Sequence, residues 1–132
     1  MRKVLVVEDS STTRAFVRAI LEGDAFTNRL GPWEVAEASS GFEAMRLLPR
    51  GPYQLIITDI NMGDINGLEL IRFVRKSEHH KTTPLLIIST QNTERDVERG
   101  LTLGADGYVP KPFSEGELTD ACARVLGAAR ES

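Results

Sequence analysis

Apolar residues gather along the chain in short runs: Val4 to Val7, Val35 to Ala38 after Trp33, Leu55 to Ile57 and Leu85 to Ile88, with a weaker run from Gly107 to Val109. Most are continuous rather than alternating. A strand covered on both faces has that pattern, so these runs predict parallel β-strands inside a layered α/β fold.

The intervening segments carry helical spacing instead. Phe16, Val17, Ile20 and Leu21 share one face of the first predicted helix, with Ser10 or Ser11 in place to cap it. Phe42, Met45 and Leu48 mark a second helix, and Leu68, Ile71 and Val74 a third. Val97 and Leu101 mark a fourth that ends near Gly104. Leu118, Cys122, Val125, Leu126 and Ala129 stripe the fifth, where Ser114 and Glu117 have the spacing of a capping box. Five βα units imply right-handed crossovers and helices on both faces of one sheet.

Composition narrows the class. The chain has 132 residues, 41% hydrophobic and 27% charged, which predicts one compact domain spanning 1–132. Sixteen Lys and Arg against nineteen Asp and Glu leave a net charge of -3, so nothing draws the whole molecule toward nucleic acid or an anionic membrane. The single cysteine, Cys122, excludes an internal disulfide, no apolar run approaches the ~20 residues of a membrane span, and the apolar start at Val4 is too short for a signal peptide. A reducing cytoplasmic setting is expected.

Open parallel sheets bind ligands at the carboxyl ends of their strands. There the first strand runs into Glu8 and Asp9, the third into Asp59, the fourth into Ser89 and Thr90, and the fifth into Lys111. Three carboxylates in one crevice repel: a like-charge pair ~4 Å apart costs on the order of 4 kcal/mol at an effective dielectric of 20. A hard divalent cation offsets that, and an all-oxygen donor set with room for water and phosphate suits Mg²⁺. Asp59, following the central run Leu55 to Ile57, is the candidate nucleophile for phosphoryl transfer, with Lys111 and Ser89 facing the anionic oxygens.

At these residues the sequence resembles the response-regulator receiver domain of two-component signalling, the CheY-like family, from Lys3 to about Ala128. The likeness rests on Val6-Val7-Glu8-Asp9, Asp59, Met62 with Gly67, Ser89, Gly104-Ala105 and Lys111-Pro112-Phe113. It implies a flavodoxin-like sheet of five strands in order 2-1-3-4-5 with five helices. It also implies Asp59 as phosphoacceptor, Glu8 and Asp9 holding Mg²⁺ directly or through water, and Asn61 adding its backbone carbonyl. Lys111 becomes the phosphoryl-contacting lysine, with a cis bond to Pro112, and Ser89 and Tyr108 become the switch pair. Asn61, Thr90 and Gln91 flank the phosphoryl group and tune its loss. The implied partners are a sensor histidine kinase or phosphotransfer protein, and a downstream protein met by the fourth helix, fifth strand and fifth helix. No nucleic acid is expected as a ligand.

Three departures stand out: Gly63 where proline usually follows the methionine, Thr90 where a smaller residue is usual, and a long loop expected from Gly23 to Pro32. That loop should lie at the amino ends of the strands. His79 and His80 read as a solvated loop, and Cys122 as a small core residue. Two other classes compete. An aspartate-nucleophile phosphohydrolase wants Asp-x-Asp after the first strand, where Asp9-Ser10-Ser11 stands; a flavin phosphate there would meet Glu8 and Asp9.

Overall fold

The computed structural model describes residues 1–90 and 94–131, with side chains through 127. The elements run β1 (Arg2–Val7), α1 (Ser11–Leu21), α2 (Asp24–Leu30), β2 (Trp33–Ala38), α3 (Gly41–Leu47), a 3-10 turn (Leu48–Arg50), β3 (Leu55–Asp59), α4 (Gly67–Lys76), β4 (Leu85–Ser89), α5 (Glu94–Leu103), β5 (Gly107–Pro110) and α6 (Glu115–Glu131). All pairings are parallel, in the order β2-β1-β3-β4-β5. The order reverses at β1, so a crevice opens between the carboxyl ends of β1 and β3.

The continuous runs are buried on both faces. In β1, Val4 and Val6 pack with α1, α2 and α6, while Leu5 and Val7 pack with α3 and α4. Leu55 and Ile57 of β3 and Leu86 and Ile88 of β4 join the first core; Ile56, Leu85 and Ile87 join the second. Cys122 is buried in the first core, where burial pushes its thiol up to about 12. Ser10 caps α1, accepting from Thr13 N at 3.2 Å, and Ser114 and Glu117 form the reciprocal capping box of α6. Among the described residues no helix is long and apolar enough to cross a membrane.

The structure corrects the expected helix count. The Gly23–Pro32 segment is not an open loop: it folds as α2, so the described residues form six α-helices, and the fourth and fifth predicted ones are α5 and α6. Phe26, fully buried, anchors α2 with Leu30 one turn on, and Gly31 ends it at φ 83°. The placement was right: α2 leads into Trp33, which pairs with Arg2 at the amino end of the sheet.

Three helix faces also differ from expectation. Phe16 is 47% exposed and lies 5.8 Å from the Phe113 ring, and Phe42 is 59% exposed. In α5, Gly100 rather than the Val97–Leu101 stripe faces the sheet; a Cβ there would come within 2.4 Å of Ile87 Cδ1. Glycine lets α5 sit close on β4 while its apolar stripe is left uncovered in part.

His80 is no solvated loop residue either. It is buried, its Nε2 accepts the Tyr53 N–H at 3.2 Å, and its ring lies 5.9 Å from the Tyr53 ring. Arg75 supports the same end of the molecule, donating to the carbonyls of His80, Thr83 and Gly104 and pairing with Asp106 at 3.1 Å.

Candidate functional site

The strand ends bring the predicted acids together. Glu8 is fully buried, Asp59 is 5% exposed, and Asp9 is open to solvent. One carboxylate oxygen from each lies within 4.8 Å of the others. Register explains the meeting: β1 and β3 are neighbours, with Val7 opposite Thr58, so the next residues of both strands emerge side by side.

Every oxygen of the two buried acids has a donor. Lys111 Nζ donates to Asp59 Oδ2 at 2.9 Å and also to Glu8 Oε1. Asn61 N donates to Asp59 Oδ1 at 3.2 Å, and Ser10 N to Glu8 Oε2 at 3.0 Å. The Lys111 backbone N–H donates to Ser89 O at 2.9 Å, which ties the lysine to the end of β4, and its bond to Pro112 is cis.

The electrostatics follow from this packing. Burial pushes the Glu8 carboxyl above its ordinary value and the neighbouring Asp59 adds to that, while the Lys111 ammonium pulls it back. Burial alone would lower Lys111, yet its hydrogen bonds to Glu8 and Asp59 prevail and hold it above the usual lysine value. The two directions oppose each other, since a raised lysine needs ionised partners. The Lys111 and Ser10 donors both stabilise the Glu8 anion, so the ionised arrangement is the one the geometry is built for.

A hard cation fits this donor set. Carboxylates from Glu8, Asp9 and Asp59 supply oxygen ligands without His or Cys, and exposed Asp9 leaves a side open to water, the requirements of Mg²⁺.

The remaining predicted residues divide. Asn61 and Thr90 are exposed, Asn61 two residues past Asp59 and Thr90 directly after the end of β4. Ser89 is fully buried at the end of β4, and the half-buried Tyr108 places its hydroxyl 3.5 Å from the Ser89 carbonyl oxygen. Burial raises the Tyr108 phenol. Gln91 lies outside the described residues.

Two supporting residues escaped sequence reasoning. Arg14 donates to the Glu8 carbonyl at 2.7 Å and to Glu37 Oε1 at 3.0 Å, fastening α1 to the end of β1 and to β2. Nothing local pairs Arg14 with Glu37, which lies 23 residues away. Asp64, in the loop after Asp59, accepts from Gly41 N at 3.2 Å and Phe42 N at 3.0 Å, and these backbone donors hold its carboxyl down at about 2. Gly67 ends that loop where only glycine fits: a Cβ would lie 2.2 Å from the Asp59 carbonyl oxygen.

Comparison with known proteins agrees with this geometry. The sequence model of the response regulator receiver domain matches residues 4–123. A chemotaxis protein CheY homolog of Campylobacter jejuni is 36% identical over 126 residues, covering 95% of this chain and 92% of that protein. The chemotaxis response regulator CheY4 of Vibrio cholerae superposes with a TM-score of 0.81 at 32% identity, covering 95% of this chain and 98% of that one. The signal receiver domain of a histidine kinase from Syntrophus aciditrophicus gives 0.81 at 28% identity, covering 100% and 95%.

Proposed function

The chain belongs to the response regulator receiver domain family, and from that premise we propose that Asp59 accepts a phosphoryl group from a phosphohistidine and thereby switches a protein-binding surface. The observation that carries the proposal is the clustering of Glu8, Asp9 and Asp59 at strand ends, with the two buried members, Glu8 and Asp59, sharing one ammonium, Lys111.

An Asp59 carboxylate oxygen forms the new O–P bond as the N–P bond to the donor imidazole breaks, and the imidazole takes up a proton as it leaves. Lys111 already contacts Asp59 Oδ2, so its charge stands where the phosphoryl oxygens arrive. Glu8, Asp9, Asp59 and the Asn61 carbonyl would hold Mg²⁺, which when bound neutralises charge on the carboxylates and on the transferring group. Ser89 offers a hydroxyl beside the site, and Asn61, Thr90 and Gln91 flank the product and set its lifetime. The chain, residues 1–132, works as one receiver unit in the cytoplasm; its catalysis is confined to its own phosphorylation and dephosphorylation.

The donor in this reading is a sensor histidine kinase or phosphotransfer protein. Output passes by protein contact through α5, β5 and α6, without nucleic acid or membrane as a ligand of this domain.

Intact mass after incubation with Mg²⁺ and a small acyl-phosphate donor tests the chemistry. One phosphoryl group should be added, chelation should prevent it, and Asp59→Asn should abolish it. Equal labelling of Asp59→Asn overturns the assignment.

A further inference from the structure

Helix α5 does not bury its whole apolar stripe. Because Gly100 occupies the contact with Ile87, the one-turn pair Val97 and Leu101 is left uncovered in part, Val97 half-buried and Leu101 44% exposed. Val97 and the half-buried Tyr108 of β5 form the apolar part of an open groove of about 510 Å³, which among the described residues is also lined by Glu94 and Glu98.

No ion pair holds those two acids among the described residues. They stand at i and i+4, where like charges cost a helix about 0.2–0.5 kcal/mol. Glu94 gains something from the helix N-terminus; Glu98, a turn further in, does not. The arginine Arg99 lines instead the groove on the side of α4, opposite Arg72, with Glu98 on the crest between the two grooves. The side of α5 toward β5 is therefore apolar with an acidic rim.

We propose that this groove takes a basic amphipathic segment of a protein partner, its apolar anchors seated on Val97 and Tyr108 and its Lys or Arg side chains meeting Glu94 and Glu98. The inference rests on the reading of α5, β5 and α6 as the output face and adds the chemistry of what binds there. A second copy of this chain is the poorer occupant: a two-fold contact through the same face sets its two glutamates among those of its mate. Helix-in-groove recognition supplies the apolar energy, and charge supplies the selection.

The test uses two helical peptides with the same Leu anchors, one bearing Lys on its flanks and the other Glu at those positions, titrated into the isotope-labelled full chain. The Lys peptide should bind roughly tenfold more tightly, as two exposed rim pairs of ~0.2–1 kcal/mol change sign. Its shifts should centre on the amides of Val97 and Tyr108, and the double variant Glu94→Lys, Glu98→Lys should reverse the order. That variant should still accept phosphoryl from the acyl-phosphate donor, which confirms its fold. Equal affinities, preference for the Glu peptide, no binding of either, or shifts elsewhere each overturn the proposal, as does self-association of the free chain through these amides. The charge preference is read on unphosphorylated protein, so failure of Asp59 to label would overturn the phosphoacceptor reading alone.

Discussion

Lys111 is the counter-ion of Asp59: its ammonium lies 2.9 Å from Oδ2 and simultaneously holds Glu8, whose carboxylate is entirely buried. One cation thus balances two acids that burial would otherwise penalise.

Replacing Lys111 by Met should leave those acids unneutralised. Removing one partner of a buried pair costs roughly 3 kcal/mol, and a divalent cation can supply the missing charge. Thermal unfolding in chelator should show the variant well below wild type, with Mg²⁺ restoring a large part of the difference. If Mg²⁺ shifts both proteins by the same amount, the ion and the lysine do not share these carboxylates.

Helix α2 depends on a single aromatic anchor. Truncating Phe26 to Ala should cost about 3–5 kcal/mol and release amide protection from Asp24 to Leu30. Labelling at Asp59 at a permissive temperature should be unaffected, because α2 joins the amino end of β2 and the chemistry sits at the opposite end. Slower labelling in a protein that remains folded would mean that the two ends are coupled.

Helix α2 also marks a limit of what the sequence made legible. β1, β3 and β4 were readable because burial on both faces leaves unbroken apolar runs, and α6 because its capping box is local. One buried Phe among polar residues gives too little periodicity to announce α2. The α5 face was misread for a related reason: Gly100 has no side chain to signal that it faces the core. Glu8, Asp9, Asp59 and Lys111 were legible because each ends a strand. Arg14 and Asp64 were not, since their partners Glu37, Gly41 and Phe42 are close only once the sheet has formed.

Buried His80 makes stability depend on pH. Burial, with His79 nearby, holds its pKa below the ordinary 6.5. The neutral ring accepts the Tyr53 N–H at Nε2, which puts its proton on Nδ1, where it has no partner among the described residues. The unfolded chain therefore binds the extra proton first. The neutral ring's full stability is present above the unfolded value and is lost as pH falls through it toward the folded value. Denaturant midpoints measured from about pH 7 down to pH 5 should fall more steeply for wild type than for His80→Gln. Parallel curves would assign the slope to other groups.

On the proposed function, chemistry at Asp59 should couple to the surface through the end of β4. Ser89 is wholly buried beside the Asp59 strand, its carbonyl oxygen accepts the Lys111 N–H, and the Tyr108 hydroxyl lies 3.5 Å from that same oxygen. In this reading a phosphoryl group on Asp59 adds acceptor oxygens, and the hydroxyl of Ser89, which ends the neighbouring strand β4, is the uncharged donor that would turn toward them. Any such movement is felt by Tyr108, whose ring lines the groove with Val97, Glu94 and Glu98. The expected consequence is a population shift on that face rather than a new fold. Ser89→Ala should then still accept phosphoryl at Asp59, yet transmit less of the change. The measurement is the amide and Tyr108 ring response by NMR to Mg²⁺ with a non-hydrolysable phosphoryl mimic. Wild type should show shifts at Tyr108 and along α5, and Ser89→Ala smaller ones at the same positions. Identical responses would rule Ser89 out as the link while leaving Asp59 as the acceptor, because acceptance needs only the carboxylate, its lysine and the neighbouring acids.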